Sequence, residues 1–157
     1  MNRLSKNLRY DIKAGFGRNL PNYLIEAVVL VFLTGMILSE MKELYPHQVP
    51  SCFDVISRFF MGVDSDQIEI PFQWLTIHTY IILGIARYPR QDYDESSYNI
   101  WIRTKSRAIW GLSKVIWCLL HVALSYVVGL IVVIATVMLS GGDYSMRITN
   151  LYELNYD

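Results

Sequence analysis

The sequence predicts an all-α integral membrane protein: three transmembrane helices, an amphipathic helix at the N-terminal interface and a further helix on the cytoplasmic side. Three observations carry that prediction. From Val115 to Leu139 run 25 residues without a Lys, Arg, Asp or Glu. Of the 157 residues, 53% are apolar and 18% charged, and the mean hydropathy is +0.27. Eleven of the fourteen basic residues fall in alternate connections between the apolar stretches. This composition excludes a disordered chain, a collagen-like repeat and a disulfide scaffold, and the length suits one domain. The 14 basic side chains balance 14 acidic ones, so no basic excess points to nucleic acid.

In chain order, residues 1–22 place Leu4, Leu8, Ile12 and Phe16 at every fourth position, with Lys6, Arg9 and Lys13 on the other side. That is the pattern of a basic helix lying in the plane of an anionic leaflet. Gly15, Gly17 and Pro21 are expected to break it before the first span, residues 23–41. Residues 42–69 form an acidic outer connection. Residues 70–86 are uncharged over 17 positions, at the short end of the range of about 17 to 25 for a spanning helix. Residues 87–114 form a second polar connection. Residues 115–139 are the longest span, and residues 140–157 an outer tail.

The charges orient these spans. Residues 1–22 carry five basic side chains against Asp11, and residues 87–114 carry six against three acids. The outer connection has Lys42 and Arg58 against Glu43, Asp54, Asp64, Asp66 and Glu69, and the tail has only Arg147. Eleven of fourteen basic residues therefore share one side, which the positive-inside rule assigns to the cytoplasm of a bacterial plasma membrane, with the N-terminus inside. A cleaved signal peptide fits less well, because the leader is long and no A-x-A site follows the apolar core. A soluble bundle fits less well too, since so small a chain cannot cover 25 apolar residues on every side.

The second connection reads QDYDESSYNIWIRTKSRAIWGLSK from Gln91 to Lys114. Asp94, Ser96 or Ser97 is placed to cap a helix carrying Tyr98, Trp101, Ile102 and Ile109. Arg103 and Arg107 are spaced four apart, with Lys114 a heptad beyond Arg107. Such a helix suits docking to a soluble partner, and it equally suits anchoring, with Trp101 and Trp110 at headgroup depth. The order of basic leader, span, acidic loop, short span and an Ile-Arg-Thr-Lys-Ser-Arg-Ala-Ile-Trp-Gly-Leu-Ser-Lys run (Ile102 to Lys114) before a long span resembles the first half of type-2 ABC transporter permeases of low-GC bacteria. The resemblance implies a coupling-type helix over Tyr98 to Lys114, pressed on a separate ATP-binding cassette ATPase through Tyr98, Trp101, Ile102, Arg103 and Arg107. ATP would bind that partner, and no cofactor this chain. Such permeases usually carry twice as many spans per half. The resemblance therefore implies a truncated or split subunit working as a homo- or hetero-oligomer of permease chains, exporting a peptide, lipid or drug-like molecule. The other reading is a small membrane accessory, immunity or regulatory protein that moves nothing.

The sequence contains no G-x-x-x-x-G-K-[ST], H-E-x-x-H or G-x-S-x-G, so neither a nucleotide cradle, a metalloprotease nor a serine hydrolase is supported, and the expectation is a non-enzyme without a metal. Glu26 and His78 are ionisable residues within or beside apolar spans and are candidate pathway residues, against a plainer role near headgroups or in a helix–helix hydrogen bond. Asp64, Asp66 and Glu69 lack the spacing of a calcium loop. Ser125 and Gly129 offer a small-residue strip. Cys118 reads as a small hydrophobe and Cys52 as a thiol in a polar connection. The charge pattern yields the first expected outcome. With Cys52 and Cys118 replaced by Ala, a thiol introduced at Ser65 labels with an impermeant maleimide in intact cells, while one at Ser97 labels only after permeabilisation. The reverse pattern overturns the orientation.

Overall fold

The computed structural model describes residues 3–44, 46–60, 72–104 and 106–143, with the side chains of residues 3 and 95–104 outside the description. Within those limits the chain is all-helical: α1 (Arg3–Leu44), α2 (Cys52–Phe60), α3 (Phe72–Thr104) and α4 (Arg107–Leu139). Two of the helices, α1 and α4, are long and apolar enough to cross a bilayer. The chain divides into two compact units, Met1–Leu24 with Tyr80–Tyr126, and Ile25–Thr79 with Val127–Asp157. The outer tail beyond Asp143 and the acids Asp64, Asp66 and Glu69 lie outside the described residues.

Two sequence expectations are corrected. First, α1 is continuous through Gly15, Gly17 and Pro21, where a break before the first span was expected. Proline removes one backbone bond and disfavours a helix interior, but packing along the rest of a 42-residue helix outweighs that local penalty. Gly15 serves packing instead of breaking: a β-carbon there would collide with the Trp117 indole, so the glycine lets the ring lie directly on the α1 backbone. Second, Tyr98 to Lys114 is not one helix. Tyr98 to Thr104 completes α3, and a new helix starts at Arg107. The Ser106 carbonyl accepts from the Trp110 amide at 3.4 Å, so the cap falls at Ser106, a favoured N-cap residue, and Asp94, Ser96 and Ser97 lie inside α3.

The second unit is built on an apolar core. Leu30, Leu33, Ile37, Leu38 and Met41 of α1 pack with Cys52, Val55 and Phe59 of α2, Ile77 of α3, and Val133 and Val137 of α4. The i, i+3, i+4 and i+7 spacing of these residues gives α1 and α4 their buried stripes. At the start of α2, the Ser51 amide donates to Asp54 Oδ2 at 2.9 Å and the Asp54 amide to Ser51 Oγ at 3.2 Å. This reciprocal pair is a capping box with Asp in the third position.

The far end of α4 closes on the same corner. Gly142 N bonds Val137 O at 2.9 Å and Gly141 N bonds Met138 O at 3.2 Å, a Schellman ending that needs the positive φ of 77° found at Gly141. The chain then bridges to Ser51: Cys52 N donates to Asp143 O and Asp143 N to Pro50 O, each at 3.0 Å. Lys42 Nζ reaches the Ser140 carbonyl at 3.2 Å.

Cys52 is therefore not a thiol in a polar loop but a fully buried member of the core. Burial, with the negative charge of Asp143 behind it, pushes its thiol above the ordinary range. Because the raised value favours the protonated thiol, the reactive thiolate is scarce until pH exceeds the ordinary thiol range. Maleimide is expected to leave Cys52 unlabelled in the native protein at neutral pH and to label it on denaturation. Rapid native labelling at neutral pH overturns this packing.

Candidate functional site

The first unit is held by charge rather than by a purely apolar core. Asp11 lies on α1, Tyr88 and Asp92 on α3, and Ser113 and Lys114 on α4. The four-residue spacing of Asp11, Gly15, Asn19 and Tyr23 lines these residues along one buried face of α1. That face is offset from the expected apolar stripe, in which Ile12 is exposed while Leu4, Leu8 and Phe16 are half-buried. On α3, Tyr88 and Asp92 are likewise one turn apart.

Lys114 sits at the centre. Its Nζ lies 2.6 Å from Asp11 Oδ1 and 2.7 Å from Asp92 Oδ2, and its side chain is 7% exposed. It also approaches the Tyr88 oxygen at 3.4 Å and stands 4.4 Å from the centroid of the Tyr88 ring, a cation–π contact in a desolvated setting. Asp11 accepts from the Tyr88 hydroxyl at 2.9 Å and from the Ser113 hydroxyl at 2.5 Å. Trp110 Nε1 points to Asp92 Oδ2 at 3.5 Å. Burial first, then the charge of Asp11 and the bond to it, then the charge of Asp92, hold the Tyr88 phenol well above its usual range. Tyr88 therefore remains an O–H donor.

An aromatic layer adjoins the charges. The Trp117 ring lies 4.3 Å from Tyr88 and 6.3 Å from Phe16, and it stacks on His121 at 5.1 Å with 14° between planes. His121 shares a hydrogen bond with the Tyr23 hydroxyl. Nearby, Arg87 donates to Asn22 Oδ1 at 3.3 Å, and Tyr80 donates to the Asn22 carbonyl at 3.2 Å. The arrangement can hold charge and protons out of water, and it fixes the register of three helices against one another.

The residues expected from sequence fall elsewhere. Tyr98, Trp101, Ile102 and Arg103 occupy the last turns of α3, with side chains outside the description. Arg107 is exposed at the start of α4. Lys114, a heptad beyond Arg107, is buried, and its ammonium meets two carboxylates there. Glu26 and His78 belong to the second unit. Glu26 is buried at 4% exposure, not in headgroup water. His78 stacks on Trp74, and its Nδ1 donates to the Trp74 carbonyl of the same helix at 2.7 Å. The signal for the Lys114 cluster was present in Asp11, the lone acid among five bases of the leader.

No family model, curated protein or solved structure matches the chain.

Removing one partner of a buried ion pair strands the other, at about 3–5 kcal/mol. Lys114→Met is therefore expected to destabilise the first unit strongly, and the triple variant Lys114→Met, Asp11→Asn, Asp92→Asn to recover most of the loss. Thermal unfolding followed by circular dichroism checks this. A triple variant no better than the single one means that the charges are not the reason.

Proposed function

We propose that this chain is a multi-pass permease subunit, working with a separate ATP-binding cassette ATPase in a bacterial plasma membrane. The observation that carries the membrane part is the exposure of the apolar helices. Only 39% of the most apolar stretch of α1 and 22% of that of α4 is buried, whereas a helix in a soluble core hides most of its surface. Leu20, Leu24, Val28 and Phe32 on α1, and Val115, Leu119, Val127 and Ile131 on α4, face outward. Acyl chains are the solvent that such surfaces fit.

At 1.5 Å per residue, α1 is about 63 Å long and α4 about 50 Å, both longer than a hydrocarbon core of ~30 Å. Each therefore extends past the membrane, and the basic bias of residues 1–22 and 87–114 directs those extensions to the cytoplasm. On α3, the uncharged stretch up to Ala86 exposes Leu75, Ile82 and Leu83, which supports its reading as a span between the other two. The ATPase contact is then the corner where α3 ends and α4 begins, with Trp101 and Ile102 as apolar anchors and Arg103 and Arg107 meeting acids on the partner. Its support is the resemblance of the Ile102 to Lys114 run, together with the exposed position of Arg107. With Lys114 turned inward, docking falls on the residues before it. Permease chains form a homo- or hetero-oligomer in this reading, and Glu26 and His78 are candidates for the substrate path.

The test separates docking from anchoring. Trp101→Ala with Arg107→Glu is expected to abolish co-purification of the ATPase and its stimulation while the chain stays membrane-inserted, since truncating a hot-spot aromatic or arginine typically costs ~2 kcal/mol or more. Partner binding at wild-type strength, or loss of the variant from the membrane, overturns the permease reading in favour of an accessory protein anchored through this corner.

A further inference from the structure

The basic residues at the start of α1 are not equivalent. A cavity of about 500 Å³ opens on this helix, lined by Tyr10, Lys13, Ala14, Gly17 and Arg18. Lys6 and Arg9 are exposed as well, but they do not line it. At about 100° of turn per residue, Lys13 and Arg18 stand about 140° apart around the helix, with Gly17, Tyr10 and Ala14 between them. Two cationic side chains therefore form opposite rims, and the floor holds a glycine and a methyl group. Tyr10 supplies an aromatic wall of the kind that suits headgroup depth. No acid is among the described lining residues, and Asp11, the acid of this segment, is turned to Lys114 at 2.6 Å. Lys13 joins none of the ion pairs among the described residues, which are made by Arg90 and Lys114.

Packing explains Gly15 but not Gly17. A β-carbon at Gly15 would strike Trp117, whereas one at Gly17 would meet no described atom within 4 Å. Glycine is a poor helix former, yet α1 is helical on both sides of it; what its missing side chain leaves is the open floor between Lys13 and Arg18. The same face continues into apolar surface, because Leu20 and Leu24, three and seven positions after Gly17, are exposed. Depth separates the cations further. The headgroup layer of a bilayer is roughly 5–8 Å deep on each side. Lys13 and Arg18 are about 8 Å apart along the axis, while Lys6 lies about 18 Å from Arg18. Because α1 is continuous and does not bend to lie along the surface, it carries Lys6 beyond the layer that Lys13 and Arg18 occupy.

We propose that this cavity binds the phosphate of an anionic glycerophospholipid of the phosphatidylglycerol type, with Lys13 and Arg18 donating to its oxygens and the acyl chains lying along Leu20 and Leu24. Charge-assisted bonds from two cations to one phosphate are the strong kind. A glycerol headgroup brings no cation with it, whereas the ammonium of a choline headgroup would meet Lys13 and Arg18 with like charge. The inference rests on the reading of α1 as a membrane span and not on the ATPase.

The experiment titrates the full chain, in a neutral detergent, with phosphatidylglycerol and separately with phosphatidylcholine, and counts bound lipid by native mass spectrometry. Phosphatidylglycerol is expected to bind more tightly than phosphatidylcholine, and to stay bound in a large excess of inorganic phosphate. Lys13→Gln and Arg18→Gln each weaken it by about tenfold, the loss of one charge-assisted hydrogen bond. Gly17→Leu changes no charge, enters open space and weakens binding as much by filling the floor. Lys6→Gln with Arg9→Gln removes two charges from the same helix and changes affinity by no more than about twofold, as expected for charges acting through solvent. Equal loss in the Lys6 and Arg9 variant overturns the proposal in favour of diffuse attraction. Wild-type affinity in Gly17→Leu, or equal binding of the two lipids, overturns it as well, and displacement by inorganic phosphate makes the site one for free phosphate instead. Alkaline carbonate extraction of the wild-type chain separates the two levels: release from membranes overturns the membrane reading and this site together, whereas an inserted chain that fails the binding tests overturns the site alone.

Discussion

The Lys114 ammonium, held between Asp11 and Asp92, is the constraint on which the first unit depends. Asp11 and Lys114 are 103 positions apart, and the three charged residues come from three different helices. A cation on α4 taken out of water must be met by anions on its neighbours at hydrogen-bonding distance, which leaves each helix little freedom to slide or rotate. Ser113 and Tyr88 complete the shell by donating to Asp11. Such a cluster specifies one register more than it adds net stability, because dehydrating its charges offsets much of the attraction.

The aromatic layer enforces the same register through shape. Gly15 leaves room for the Trp117 indole, and Trp117 in turn carries His121, which reaches Tyr23 on α1. A one-residue rotation of α1 would turn Asp11, Gly15 and Tyr23 away together, since they share one face. The charged and aromatic contacts therefore select one arrangement, a consistency expected of a sequence that specifies a single structure.

The second unit relies on different physics. Its core is aliphatic, and its polar work is confined to ends: a capping box at Ser51 and Asp54, a Schellman turn at Gly141, and a short backbone bridge between residues 51 and 143. Those contacts satisfy helix termini that would otherwise bury unpaired carbonyls and amides. The two units thus differ in what holds them together. The first contains an ion cluster, while the second is held by apolar packing and by helix-end contacts that include the Asp54 carboxylate and the Lys42 ammonium.

Helical class and the apolar stretches of α1 and α4 were legible in the residues alone, because uninterrupted apolar runs and their 3.6-residue period are local properties of a chain. The split of basic residues between alternate connections was legible for the same reason. Local rules failed where a distant partner decided the outcome. Gly15 and Pro21 read as breakers, yet α1 continues through them. Cys52 stood in a polar stretch, yet it belongs to a buried core shared with residues of α1, α3 and α4. Lys114 is the clearest case: in the sequence it is one more basic residue of the second connection, a heptad beyond Arg107. Only tertiary structure brings Asp11 and Asp92 to it, because the free energy of a buried charge is set by what surrounds it in space and not by its position in the chain.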